Sequence, residues 1–302
     1  MRKNDLKAKL YFMKRRRAMR RKPFAFHGAA GYFLYCVILC FFLAAGTDAI
    51  TAKSRYERLS GSVVESEGYR RQRMDEGMLD YISQKERPGR ELSLYWLENN
   101  FGQEAFLHPF TEESFSELES IWSKKQGWEA YLKSCEAVWD DLRYFPVPKP
   151  SDDTDMEVTF EDSWMFERNY GGKRGHEGTD IMASVNRRGV YPVVSMTDGV
   201  ILHKGWLEKG GYRLGITAPG GAYFYYAHLD SYSGVEEGDT VRAGDLLGYM
   251  GDTGYSQVEG TTGNFPVHLH VGIYLVREDQ EISVNPYYPL KYLEGRRITC
   301  AY

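Results

Sequence analysis

Four histidines and one aspartate in the C-terminal half of the chain have the side chains and the spacing to hold a metal and move protons beside it. They lie in three short segments: His176 and Asp180 in RGHEGTDIMA, His228 in YYAHLD, and His268 and His270 in VHLHVGI. Imidazole nitrogens and a carboxylate oxygen suit a borderline cation such as zinc, and a catalytic zinc is held by three protein ligands with a fourth position left to water. Five candidates exceed three ligands, so the surplus histidines fall to proton transfer or charge stabilisation beside that water. Spacing alone does not separate ligand from catalyst within the pair His268 and His270. The remaining three of the seven histidines stand apart: His27 and His108 lack such company, and His203, beside Lys204, reads as a solvent-facing strand residue.

Each segment implies an element that must position it. His268 and His270 are two apart in a run of alternating apolar residues, so in a strand both imidazoles leave the same face. His176 and Asp180 are four apart, but Gly175 and Gly178 argue against a helix and for a loop leading into a strand. Around them, short runs at Tyr191 to Ser195, Gly199 to His203, Tyr212 to Thr217 and Ala222 to Ala227 alternate with turn signals such as Asp198-Gly199, Gly210-Gly211 and Pro219-Gly220-Gly221. That pattern predicts a mainly β domain over 157–302 built on an antiparallel sheet.

The motifs together resemble the lysostaphin-type, LytM-like zinc metallopeptidases that cleave peptidoglycan. HEGTDIMA, the TDGVI turn (Thr197 to Ile201), YYAHLD, GVEEGDTVRAGDLLGYMGDTG (Gly234 to Gly254) and VHLHVGI occur in the family's order and cover roughly Phe160 to Pro286. The resemblance implies a β domain of the duplicated-hybrid-motif type with a narrow groove and one zinc held by His176, Asp180 and His270. It gives His228 and His268 catalytic roles, and it places Tyr170, six residues before His176, where some relatives carry a tyrosine that donates to the oxyanion. The implied activity is hydrolysis of the peptide part of bacterial cell wall. One departure stands out. GYSQVEGTTGNFPVHLH is longer than the compact approach to the family's last histidine pair, so Val258 to Phe265 is expected to form an extra loop at the groove. The competing reading is an envelope scaffold or regulator of other wall enzymes, either without catalysis or alongside it.

The N-terminal half reads differently. Residues 1–24 hold eleven Lys or Arg against the single Asp5, so the formal net charge of −4 conceals a basic tail and an acidic remainder. The apolar stretch that follows gives this tail its meaning, which is membrane orientation rather than nucleic-acid binding. No charged side chain occurs from Pro23 to Thr47, and about 20 apolar residues suffice to cross a bilayer. We expect a cytoplasmic tail (1–24), an uncleaved signal anchor in the lipid bilayer (25–46), and export of everything beyond. Residues 47–147 are expected to form a helical stalk, since Phe115, Leu118, Ile121 and Trp122 and then Trp128, Tyr131, Leu132, Cys135, Val138, Trp139 and Leu142 recur at helical spacing. Those aromatics read chiefly as the core of the stalk or as a surface packed on the next domain, with an envelope protein partner as the other use of the stalk. The Pro-rich, acidic stretch 148–156 suits a linker. Only Cys135 and Cys300 lie outside the span, too few for a disulfide scaffold or a thiolate metal site.

Overall fold

The computed structural model describes residues 28–152, 155–277 and 280–302. The expected basic tail and the first residues of the expected span, with His27, lie outside the described residues. The chain divides into two compact units, 1–54 and 55–302. In the first, helix α1 begins (Ala29–Glu57), and its part Gly31–Glu57 is long and apolar enough to cross a membrane by length and composition. Its large apolar side chains, among them Tyr32, Phe33, Phe41, Phe42 and Leu43, are exposed.

The second unit begins with a helical layer: α2 (Glu67–Arg70), α3 (Glu76–Ser83), α4 (Gly89–Glu98), α5 (Glu112–Trp122) and α6 (Trp128–Trp139). Local chemistry sets their starts. The Asp75 side chain accepts from the Met78 amide, Thr111 and Ser114 form a reciprocal capping box, and Gly127 in the left-handed region precedes α6. Such caps satisfy the amides that a helix N-terminus leaves free. The amphipathic stripe expected of this region faces inward: Trp96, Trp122, Trp128, Tyr131 and Trp139 are all buried, with Tyr69 set edge-on to Trp96 at 6.1 Å.

The β part follows as β1 (Lys149–Pro150), β2 (Val158–Phe160), β3 (Glu167–Arg168), β4 (Arg174–Gly175), β5 (Thr179–Ala183), β6 (Pro192–Val194), β7 (Gly199–Leu207), β8 (Gly211–Thr217), β9 (Tyr223–Tyr232), β10 (Thr240–Val241), β11 (Leu246–Met250), β12 (His268–Arg277), β13 (Gln280–Val284) and β14 (Thr299–Cys300), with α7 (Tyr287–Leu293) before the last. The main sheet runs β10-β7-β8-β9-β12-β5-β2, with β11 joined to β9 and β6 and β13 joined to β12. Its pairings are antiparallel, as the alternation and turn signals require. One face buries Ile181, Leu214, Ile216, Phe224, Tyr226, Leu269, Val271 and Ile273.

The helical layer and the sheet share one continuous core. Trp139 meets Tyr292 of α7 at 5.8 Å, and Phe145 meets Phe160 of β2 at 5.5 Å. Arg70 bridges the two layers, its Nε donating to the Ser283 carbonyl (2.9 Å) and its Nη2 to Ser283 Oγ (2.7 Å) and Glu177 Oε1 (2.7 Å). The stretch read as a linker is tied down at its start: Pro148 is buried, and β1 pairs in parallel with β14. Residues 153 and 154 of that stretch lie outside the described residues. Cys135 is buried and Cys300 half-buried, and both are free thiols.

A shared core implies shared unfolding. Trp139→Ala removes a fully buried indole that also donates to Gln72 Oε1 at 2.7 Å, and such truncations cost about 3–5 kcal/mol. Denaturant titration should show that loss in one transition reported alike by tryptophan fluorescence and by the β signal in circular dichroism. Two separated transitions would refute the shared core.

Candidate metal centre

His176 lies in the turn between β4 and β5, Asp180 is the second residue of β5, and His268 and His270 open β12. The antiparallel register sets His270 directly opposite Asp180 on one side and Ala227 on the other. Opposed residues share a face, so the His270 imidazole and the Asp180 carboxylate must meet there. His176 Nε2 completes a triangle, 3.1 Å from Asp180 Oδ1 and 3.0 Å from His270 Nδ1, with His270 Nδ1 2.9 Å from Asp180 Oδ1.

The fit to a metal follows from these numbers. Four-coordinate zinc with bonds of about 2.0–2.1 Å requires ligand atoms about 3.3 Å apart, so the triangle needs only slight expansion. His176 Nδ1 faces the carbonyl and hydroxyl oxygens of Ser163 at 3.3 and 3.0 Å. The carbonyl can only accept, so Nδ1 carries the hydrogen and Nε2 offers its lone pair to the triangle. Arg168 donates to Asp180 Oδ2 at 2.7 Å, leaving Oδ1 for the triangle. With no cation bound, burial opposes ionisation of Asp180, but protonated His176 and His270 can then donate to it, and these bonds with the charge of His270 and His268 outweigh burial and hold the carboxyl far below the usual range; ligation requires the two nitrogens to give up those protons. His270 shifts down, chiefly through burial, with Asp180 opposing. Three acceptor atoms held about 3 Å apart in a half-buried site are what a cation relieves.

Two further imidazoles face the same space. His228 Nδ1 donates to the Thr253 carbonyl and His268 Nδ1 to the Pro266 carbonyl, both at 2.7 Å. Each Nε2 is therefore left as an acceptor, and the rings stand 4.7 Å apart. His268 Nε2 lies 3.8 Å from Asp180 Oδ1. His228 adopts a left-handed backbone, φ 62°, an uncommon choice for a residue other than glycine. Burial, then repulsion from His268 and His270, depresses its pKa well below the ordinary histidine value and favours the neutral ring.

A groove passes this centre on both sides. One arm, a cavity of about 320 Å³, takes in His176, Asp180, His228, His268 and His270; the other, of about 570 Å³, extends past Asp180 and His268 to Phe160, Phe166 and Met182. Tyr255 borders both. Phe265, from the expected extra loop, packs on His228 at 4.6 Å and on His268 at 5.0 Å. Tyr170 stacks on Tyr255, rings 4.5 Å apart and 5° from parallel, and its hydroxyl points to Glu208 Oε1 at 3.4 Å. His203 is exposed, as expected of a strand residue facing solvent, yet it borders the first arm. His108 sits far along the chain in the helical layer beside Glu98. Sequence reasoning missed Ser163, Arg168, Thr253, Tyr255 and Phe265. Of these, Phe265 belongs to the loop expected at the groove, and Arg168 left a signal because the Asn169-Tyr-Gly-Gly172 turn folds β3 back on β4 beside His176.

A model described as the LytM N-terminal domain matches residues 54–141, and one described as peptidase family M23 matches residues 174–286. A crystal structure from Ruminococcus gnavus ATCC 29149, provisionally assigned as a glycyl-glycine endopeptidase lytM, is 58% identical, covers 82% of this chain and 98% of its own, and superposes with a TM-score of 0.78. The chain belongs to peptidase family M23. The L-Ala--D-Glu endopeptidase of Bacillus subtilis is 39% identical over 144 residues, 47% of this chain and 41% of that enzyme. The glycyl-glycine endopeptidase ALE-1 of Staphylococcus capitis is 34% identical over 106 residues, 31% and 28% of the two chains. This chain thus spans less than half the length of either enzyme.

Gly178 tests the geometry directly. A Cβ there would overlap the His270 imidazole and lie 2.7 Å from the Val271 carbonyl. Gly178→Ala should displace His270 and weaken metal affinity about ten- to a hundredfold, the range expected when a ligand's support is disturbed. Competition against a chromogenic chelator measures this; unaltered affinity would exclude His270 as a ligand.

Proposed function

We propose that this chain is a membrane-anchored zinc endopeptidase that hydrolyses peptide bonds of bacterial peptidoglycan outside the membrane. The observation that carries the reading is the convergence of His176 Nε2, Asp180 Oδ1 and His270 Nδ1 within about 3 Å of one another, with the Nε2 atoms of His228 and His268 left unprotonated beside them. His176, Asp180 and His270 hold the zinc. When bound, zinc supplies Lewis acidity, which brings the pKa of water down toward about 7 and opposes negative charge on a carbonyl oxygen.

The remaining work falls to the chain's own groups. His228 and His268, held by carbonyl oxygens in the tautomer whose Nε2 accepts, take the proton of the attacking water and return it to the departing amine. The two arms of the groove lay the peptide across the centre, and Phe265 and Tyr255 keep bulk water from the two catalytic rings. Tyr170 enters as the support of Tyr255, on which it stacks, with its exposed hydroxyl 3.4 Å from Glu208 Oε1. The wall peptide as substrate is supported by relatives named for cleaving L-Ala–D-Glu and glycyl-glycine bonds. An anchor in α1 and a cytoplasmic basic tail would set the groove on the side where wall is found.

Alanine at His176, Asp180 or His270 should abolish zinc binding. Alanine at His228 or His268 should leave zinc in place and lower peptide release from purified peptidoglycan about 10²- to 10⁴-fold, the usual cost of losing a positioned acid–base or charge-stabilising group. Zinc content and turnover on the five variants separate the two classes. Zinc lost from His268→Ala but kept by His270→Ala would reverse the assignment, and wild-type turnover in all five would end it.

Topology has its own test. A reporter fused after Tyr302 should be active only outside the membrane, and protease added to intact cells should remove it. A protected C terminus would refute the exported orientation.

A further inference from the structure

The first arm of the groove contains more hydrogen-bond donors than a peptide backbone can use. Arg174 on β4 and Arg213 on β8 both border it. Neither forms an ion pair among the described residues, and Arg174 Nε and Arg213 Nη1 are shielded from solvent without a hydrogen-bond partner. Tyr223, Tyr225 and Tyr274 border the same cavity, and their hydroxyls likewise make no hydrogen bond among the described residues. Their rings are brought there by missing side chains: a Cβ on Gly215 or Gly210 would strike the hydroxyl of Tyr223 or Tyr225, and one on Gly272 would lie 2.7 Å from the Tyr274 ring. Tyr225 also stands 6.0 Å from the His270 ring, which joins this cluster to the metal centre.

Both guanidiniums border the cavity with no carboxylate paired to them among the described residues, so each stands there as a cation able to take an anionic partner. Two together, beside three hydroxyl donors, select a planar anion that accepts several hydrogen bonds at once. Charge agrees: Lys209 adds a third cation to the lining, whereas of the two carboxylates there, Asp180 is engaged by Arg168 and the histidines and Glu281 pairs with neither arginine. Since the cavity is continuous with the metal centre, the anion belongs to the molecule being cut.

We infer that Arg174 and Arg213, with the hydroxyls of Tyr223, Tyr225 and Tyr274, form a subsite for a carboxylate of the substrate peptide, so that this enzyme selects an acidic residue beside the scissile bond over a neutral one. The inference rests on the peptidase reading and narrows its substrate to acidic peptides. Arg213 and Arg174 act here as specificity residues, with no part in bond breaking.

The test compares acetyl-L-Ala-D-Glu-Gly amide with its D-Gln counterpart, two peptides that differ only in carboxylate against carboxamide, and adds neutral pentaglycine. The full-length chain is used in detergent with zinc bound. Kd is read by calorimetry on His228→Asn, whose asparagine tolerates the left-handed backbone while blocking turnover, and kcat/KM on the wild type. We expect the glutamyl peptide to be preferred by about ten- to a hundredfold in both quantities, the value of a charge-assisted pair. The preference should fall toward one in Arg213→Gln and in Arg174→Gln, and part of it should return in Arg213→Lys, which restores charge without the planar fork. Equal kcat/KM for the two peptides in the wild type would overturn the subsite, as would a preference that survives in the Arg174→Gln, Arg213→Gln double variant. If none of the three peptides is cleaved while the calorimetric preference holds, the subsite stands and the peptidase reading fails for these bonds.

Discussion

The centre depends on a register. His270 on β12 stands across from Asp180 on β5, and a slip of one residue would turn one of the two into the apolar layer between sheet and helices. The register is fixed from the buried side, where Ile181, Leu269, Val271 and Ile273 must all point inward. The hydrophobic side of the sheet thus specifies the polar side, and the candidate metal ligands need no energy of their own to find one another. What they require is relief from mutual crowding, which Arg168 and Ser163 begin and a cation completes.

His228 obeys a different rule. Ala227 is the residue of β9 opposed to His270 and so takes the groove face; strict alternation would send His228 into the core. The left-handed backbone at His228, together with a register shift where β9 meets β8 and β11, breaks the alternation and lets the imidazole join the same face. Such a conformation costs about 1–3 kcal/mol and is held by bonds on both sides of the residue, His228 N to the Gly210 carbonyl and His228 Nδ1 to the Thr253 carbonyl.

These two rules explain how much was legible in the sequence. The period-two runs and glycine turns gave β8 nearly to the residue and the starts of β7 and β9 but not their ends, and the HxH spacing put His268 and His270 on one face, because alternation is a local property. The turn leading His176 into β5 was legible from Gly175 and Gly178 for the same reason. The helical layer could be read as helices whose aromatics pack on each other or on the next domain, but the choice and the partners stayed hidden, since nothing local to Trp139 says that Tyr292 will meet it. Arg168, Thr253 and Phe265 escaped notice because their roles arise from hairpins and loops that return to the site across the sheet. The place of His228 could be taken only from family resemblance, because its geometry is an exception to the pattern that made the other strands readable. The stacking of Tyr170 on Tyr255 was equally hidden, because it depends on two loops that meet only in the folded chain.

The bridge made by Arg70 gives the helical layer a mechanical part. Arg70 grips Ser283 on β13 and Glu177, the neighbour of His176, while its ring contact with Trp164 lies one residue from Ser163, the support of His176. A chain trimmed to the β domain would lose that grip and bare the apolar surfaces of Tyr292 and Phe160 to water. The loop that carries the first histidine would then be steadied from one side only. Helices α2 to α6 therefore act as a splint for the β half, and strain applied to them has a short covalent and hydrogen-bonded route to the candidate metal centre.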